Sequence, residues 1–206
     1  MLDGNMRRVL DPSLNRVGHG LAKRGVHANQ MTVLGLGLGL IAAALIGFGA
    51  SGWLALVPLL AGRIADGLDG AVARASNITD FGGYLDIVCD FIFYGAIPLA
   101  FVLRDPTANS VAGAFLLTAF YANGASFLAF AILAAKRGMQ TQTRGVKSLY
   151  FTAGLLEGTE TIAFFCMICI WPGAFAYLSW GFGALCIATT ASRMILAYQV
   201  FGKDKL

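Results

Sequence analysis

Six stretches of roughly twenty mostly apolar residues restrict the fold of this chain more than any other feature, because a helix rising about 1.5 Å per residue needs that length to cross a hydrocarbon core roughly 30 Å thick. They fall at about Asn29–Phe48, Gly52–Arg74, Thr79–Leu103, Asn109–Ala135, Leu149–Ile170 and Gly173–Val200. In lipid each segment has to satisfy its own backbone polar groups, so all six are expected to be helices. Hydrophobic residues make up 57% of the chain and charged ones 13%, against roughly 45–50% apolar for a soluble domain. The connections are too short for separate domains, and no repeat or low-complexity tract interrupts them. Residues 1–206 are therefore expected to form one all-α integral membrane domain, with a six-helix bundle over about 29–200.

Orientation follows from the fifteen Lys and Arg residues, since basic loops stay on the cytoplasmic side. Twelve share a side with the N-terminus, only Arg104 lies opposite, and Arg63 and Arg193 fall within spans. Both termini are accordingly expected in the cytoplasm. The formal net charge of +4 is a topology signal, and dispersed basic residues without a recognition motif argue against nucleic-acid binding. Over about residues 5–24, Met6, Leu10, Leu14, Val17 and Leu21 recur every three or four positions, which predicts a basic amphipathic helix lying on the anionic cytoplasmic leaflet. Asp11 and Pro12 read as its cap and first-turn proline, so the regular helix is expected to begin only there. No cleavage pattern follows the first apolar run, which is expected to be retained. His19 and His27 lack companion ligands and read as surface residues, while Cys89, Cys166, Cys169 and Cys186 lie inside spans and read as small hydrophobes.

Charge inside a span costs several kcal/mol unless it is paired or hydrated, and is a functional signal by default. Here it is concentrated. Asp66 and Asp69 are three residues apart in the second span and Asp86 and Asp90 four apart in the third, so each pair shares a helical face. A short cytoplasmic connection makes these spans antiparallel neighbours, and at about 1.5 Å per residue the four carboxylates reach a common layer about 12–16 Å from the connection. Glu157, Glu160, Arg63 and Arg193 come to comparable depth, so six acids and two arginines are expected to converge on one cytoplasmic cavity.

Clustered carboxylates repel one another unless cations neutralise them, and an all-oxygen donor set suits Mg²⁺ or Mn²⁺ better than zinc. A pair of such cations facing a phosphoanhydride would polarise its oxygens. Gly70 and Ala73 would let a ligand approach the helix closely, and Arg74 could grip a phosphate through its planar fork. The competing reading is a set of salt bridges to Arg63, Arg74 and Arg193. Four acids against at most three arginines leave excess negative charge, which favours bound cations. Read by themselves, Asn29 and Thr32 are ordinary capping residues.

The segment Asp66-Gly-Leu-Asp69-Gly70-Ala-Val-Ala73-Arg74, followed by Gly82 and by Asp86-Ile-Val-Cys-Asp90, resembles the signature of the CDP-alcohol phosphotransferases. Seven residues separate Arg74 from Gly82, one fewer than the commonest form of that signature. The resemblance implies that Asp66, Asp69 and Asp86 ligate two metal ions, with Asp90 as general base and as a further ligand. It also implies that Asn29, Thr32, Gly70, Ala73, Arg74 and Thr79 contact the CDP part of the donor. The implied donor is CDP-diacylglycerol, the implied product a phospholipid, and the implied assembly a homodimer, for which Gly35-x-x-x-Gly39 offers a helix contact, although packing within one chain accounts for the motif equally well.

Members that use inositol phosphate carry arginines around a Glu-x-x-Glu near the start of the fifth span, and Glu157-Gly-Thr-Glu160-Thr161 lacks them. A neutral polyol or amino alcohol is therefore expected in a pocket of Glu157, Glu160 and Arg193, the alternative being that the two glutamates pair with Arg193 and Arg63 across helices. An alternative within the same chemistry is transfer of a head group from a soluble CDP-alcohol to diacylglycerol. An ion-coupled transporter also places acids at mid-membrane, but the chain has no inverted repeat and no matched pair of interrupted spans.

Overall fold

The structure is a computed structural model that describes residues 2–139 and 158–202. Among these the chain is helical throughout, with no strands: α1 (Leu2–Lys23), α2 (Ala28–Gly47), α3 (Gly52–Ala75), α4 (Asp80–Arg104), α5 (Pro106–Lys136), α6 (Gly158–Ile170) and α7 (Phe175–Phe201). A short 3-10 turn, Pro172–Ala174, precedes α7. By length and composition α2, α4, α5 and the Pro172–Phe201 stretch can each cross a bilayer. Helix α3 has 24 residues, enough for a crossing, but carries Arg63, Asp66, Asp69 and Arg74, and α6 is described over 13 residues.

The α1 boundary corrects one expectation. Helix α1 starts at Leu2, not at Asp11, and Pro12 lies within it. An interior proline leaves a carbonyl one turn earlier without its partner. Pro12 itself is exposed. The helix ends in a paired closure, Gly25 N–H donating to the Ala22 carbonyl at 3.0 Å and Val26 N–H to the Leu21 carbonyl at 3.1 Å. This closure puts Gly25 at φ +81°, where a Cβ is strained, and turns the chain into α2.

The start of α2 is a second correction. Asn29 and Thr32 are not caps; His27 holds the N-cap position, and its N–H donates to Gln30 Oε1 at 2.9 Å. Helix α5 begins at Pro106 because the Asp105 carboxylate accepts from Ala108 N–H at 3.0 Å and the proline fits the first turn. Thr79 closes α4 in the same manner, accepting from Gly82 N–H at 3.0 Å.

Small residues set the spacing around α3. A Cβ on Gly35 would lie 3.0 Å from the Gly62 carbonyl oxygen, and one on Gly62 would lie 2.8 Å from the Gly35 oxygen. A Cβ on Gly39 would lie 2.5 Å from the Phe93 ring. Gly35 and Gly39 are thus used to bring α2 against α3 and α4 within the chain. Contact of backbones through small residues is the usual way for helices to associate in lipid. On the other side of α3, Gly18 of α1 meets Ala71, where a Cβ would come within 2.6 Å, and Leu14 covers Gly67. Away from the charged face the bundle is closed by Ile46, Leu59, Phe93, Ile97, Phe101, Leu116, Phe165 and Phe175. Phe101 and Phe175 stack at 4.8 Å between centroids. The four cysteines are free, and the Cys169 backbone packs against Gly52.

Candidate active site

Four residues, 76–79, join α3 to α4, and this tight antiparallel turn faces Asp66 and Asp69 toward Asp86 and Asp90. Asp66, Asp69 and Asp86 each place a carboxylate oxygen within 4.8 Å of the others. Asp69 is buried, and its Oδ2 accepts a 2.6 Å bond from the Thr32 hydroxyl of α2. That hydroxyl also lies 3.2 Å from the Ala28 carbonyl, in the preceding turn of α2. Thr32, itself buried, therefore ties α2 to the carboxylate cluster through a charge-assisted bond.

Asp90 has a different partner. Arg63 Nη1 donates to Asp90 Oδ1 at 2.9 Å and lies 3.5 Å from Asp66 Oδ2. The guanidinium sits 4.1 Å over the centroid of the Phe93 ring. Among the described residues Arg63 is thus the counter-ion of the array, and four carboxylates around this one guanidinium leave that part of the site strongly negative. Oxygen donors converging from two helices, with that excess charge, fit a hard divalent cation.

Other expected contacts divide into two groups. Asn29 and Thr79 meet at the same end of α2 and α4: a Cβ on Gly82 would lie 3.0 Å from Thr79 Oγ1 and 3.2 Å from Asn29 Oδ1. Gly70 leaves room along which Arg74 runs, its Nη1 standing 3.3 Å from where a Gly70 Cβ would be, and Ala73 is half-buried one turn on. Arg74, however, is engaged by α1, donating through Nε and Nη2 to Asn15 Oδ1 at 3.3 and 2.8 Å. Nothing in the sequence pairs Asn15 with Arg74, 59 positions away.

Arg193 is buried and is held by α5, donating to the Asn123 carbonyl at 3.0 Å, Asn123 Oδ1 at 2.9 Å and Ser126 Oγ at 2.7 Å. It borders a cavity of about 120 Å³ whose other walls are mostly apolar, Phe130, Leu133 and Met194 among them. Glu160 lies in the first turn of α6, and Glu157 lies outside the described residues. Asn123 and Ser126, two polar residues one turn apart in the middle of a mostly apolar span, are the sequence signal for this anchor.

Residues 25–192 match the CDP-alcohol phosphatidyltransferase family, and the chain belongs to it. It is an enzyme of phosphotransfer in phospholipid synthesis and an integral membrane protein. It is 44% identical to the inner membrane protein YnjF of Escherichia coli (strain K12) over 200 residues, covering 96% of both chains. It is 32% identical over 124 residues to the archaetidylinositol phosphate synthase of Pyrococcus horikoshii, covering 57% of this chain and 65% of that one. Its fold matches the crystal structure of Mycobacterium tuberculosis phosphatidylinositol phosphate synthase (PgsA1) with CDP-DAG bound, at a TM-score of 0.73 and 20% identity, over 94% of this chain and 98% of that one.

Proposed function

We propose that this enzyme, acting as a single membrane domain, transfers a phosphatidyl group from CDP-diacylglycerol to the hydroxyl of a small neutral or cationic alcohol and releases CMP. The observation that carries this reading is the convergence of Asp66, Asp69 and Asp86 within 4.8 Å, with Asp90 held beside them by Arg63. The donor is suggested by PgsA1, whose structure contains CDP-DAG. Asp66, Asp69 and Asp86 would hold a pair of Mg²⁺ or Mn²⁺ ions, with Asp90 completing the set. When bound, such ions neutralise charge on the diphosphate and stabilise the departing phosphate oxygen.

The chain's own residues supply the rest. Asn29, Thr32, Gly70, Ala73 and Thr79 line the approach for the cytidine end, and Arg74 exchanges its bond to Asn15 for a donor phosphate. Asp90 accepts the proton of the acceptor hydroxyl, whose oxygen then forms a bond to the phosphorus bearing the lipid as the bond to CMP breaks. Proton transfer and positioning are the parts of phosphoryl transfer that side chains can accelerate. Glu157 and Glu160 would accept hydrogens from a hydroxyl-rich or ammonium-bearing acceptor, with Arg193 beside them. An acceptor carrying its own phosphate would meet two carboxylates there, in contrast to the inositol phosphate products in the names of two relatives.

The excess of basic residues on the N-terminal side supports a cytoplasmic site and cytoplasmic termini. A homodimer is part of the proposal, its surface lying elsewhere than Gly35 and Gly39.

The test is to incubate the purified enzyme with CDP-diacylglycerol, Mg²⁺ and a panel of plain and phosphorylated alcohols, and to identify the lipid formed. Product from an unphosphorylated alcohol, abolished by EDTA and restored by Mg²⁺, is expected. Turnover only with a soluble CDP-alcohol and diacylglycerol would reverse the donor assignment, and efficient turnover of a phosphorylated alcohol would overturn the acceptor class.

A further inference from the structure

Arg63 stands three residues before the first aspartate of the family signature, yet it reaches further into the carboxylate array than any other cation among the described residues. Its side chain is only 13% exposed. One nitrogen, Nη1, serves both Asp90 on α4 and Asp66 on its own helix. The plane of the group is fixed from below by Phe93, which is fully buried between Gly39 and Phe165 and cannot shift without disturbing the core. Phe93 lies three residues after Asp90, so α4 offers a carboxylate and a ring on one face and Arg63 fills the space between them.

A plain counter-ion would need only charge. This one is clamped by a hydrogen bond at one edge and an aromatic ring beneath, an arrangement that suits a planar, stacking guanidinium on its longer fork better than a compact ammonium. The clamp fixes Asp90 Oδ1, while Oδ2 has no hydrogen-bond partner among the described residues. We infer that Arg63 is a positioning residue for the transfer step: it locks the Asp90 carboxylate so that its second oxygen is presented to the acceptor hydroxyl. This rests on the reading of Asp90 as the base, and it assigns Arg63 no contact with substrate.

The experiment compares Arg63→Lys, Phe93→Leu and Asp90→Asn in the full-length enzyme in detergent, measuring kcat, the KM for CDP-diacylglycerol and, by calorimetry, Mg²⁺-dependent affinity for CDP. Arg63→Lys keeps the charge and loses the fork; Phe93→Leu keeps Arg63 and both carboxylates and loses the ring. A displacement of a reacting group by about 1 Å lowers rate by up to about 100-fold. A fall in kcat of about 10–100-fold is therefore expected for Arg63→Lys and a smaller fall for Phe93→Leu, with donor KM and CDP affinity within about twofold of the parent.

Wild-type kcat in a folded Arg63→Lys enzyme overturns the inference, because charge alone then suffices. Should that variant not fold, unchanged kcat in Phe93→Leu does the same. Loss of CDP affinity in step with kcat also overturns it, since Arg63 then holds the whole site together. Asp90→Asn separates the two readings: activity surviving in that variant removes the base assignment, whereas an inactive Asp90→Asn beside a fully active Arg63→Lys removes only the role of Arg63.

Discussion

The bond from Thr32 to Asp69 gives the sharpest quantitative test of the site. At 2.6 Å between buried groups, it lies in the range of hydroxyl-to-carboxylate bonds, and such charge-assisted bonds contribute about 1.5–3 kcal/mol. Thr32→Val removes the hydroxyl with little change of volume, so almost all of the effect comes from the lost bond. If Asp69 is a cation ligand, its carboxylate is then held less firmly, and about 1.4 kcal/mol per tenfold predicts about a 10–150-fold loss of cation affinity. That range agrees with the effect of removing groups that orient metal ligands, about 10–100-fold. The assay is a titration of Mg²⁺ at fixed CDP, read calorimetrically, with Thr32→Ser as the control that retains the hydroxyl. The Val variant should need more Mg²⁺ but recover CDP binding when Mg²⁺ is saturating. Unchanged Mg²⁺ dependence would refute the reasoning. A deficit that persists at saturating Mg²⁺ would mean that Thr32 acts through its place on the cytidine approach and not through Asp69.

Asp66→Ala should abolish both turnover and cation-dependent CDP binding, checked by the same titration; retained CDP binding would remove Asp66 from the ligand set. Gly39→Val places a branched side chain where even a Cβ comes to 2.5 Å from the immobile Phe93 ring, and overpacking of this kind costs about 1–3 kcal/mol. At about 2–4 °C per kcal/mol for a chain of this size, a detergent melt should fall by several degrees, and an unchanged midpoint would contradict the α2–α4 contact. Arg74→Ala should weaken CDP binding while Arg74→Lys restores part of it, and equal affinity in all three proteins would leave Arg74 as an anchor for α1 only. Glu160→Gln should raise the KM of the alcohol and leave that of the donor unchanged; equal loss of both with a lowered melting temperature would make Glu160 structural.

Much of this was legible in the sequence because the features are local. The i,i+3 and i,i+4 spacing of the aspartates fixes their faces, and the short connection from Arg74 to Thr79 fixes their juxtaposition across α3 and α4. What stayed hidden depends on contacts between distant segments. Thr32 and Asp69 are 37 positions apart and Asn15 and Arg74 are 59 apart, and no periodicity in either segment records the partner. Arg63 could be placed at the right depth but not paired, because its choice among neighbouring carboxylates depends on where Phe93 packs. The start of α1 is not legible, because Pro12 carries the same local signal in a first turn and on an exposed interior face. Gly35 and Gly39 suit contact between chains as well as contact within one, and only the position of Gly62 decides for the latter.

The seating of α1 on α3 has a mechanical consequence. Gly18 touches Ala71 and Leu14 covers Gly67, so the amphipathic helix grips α3 at the stretch that carries Asp69. Asp66 is five residues from Ala71, about 7.5 Å along the helix. Resting on the lipid–water boundary, as its amphipathic pattern predicts, and bolted this near the carboxylates, α1 would work as a depth gauge. In a thicker or thinner bilayer the mismatch would then be absorbed at the far ends of the spans, around the α2–α3 turn, while the height of the aspartates relative to the lipid headgroups would stay constant. Activity should accordingly vary little with acyl-chain length in reconstituted membranes, and loosening the Gly18 contact with a bulky side chain should make it vary.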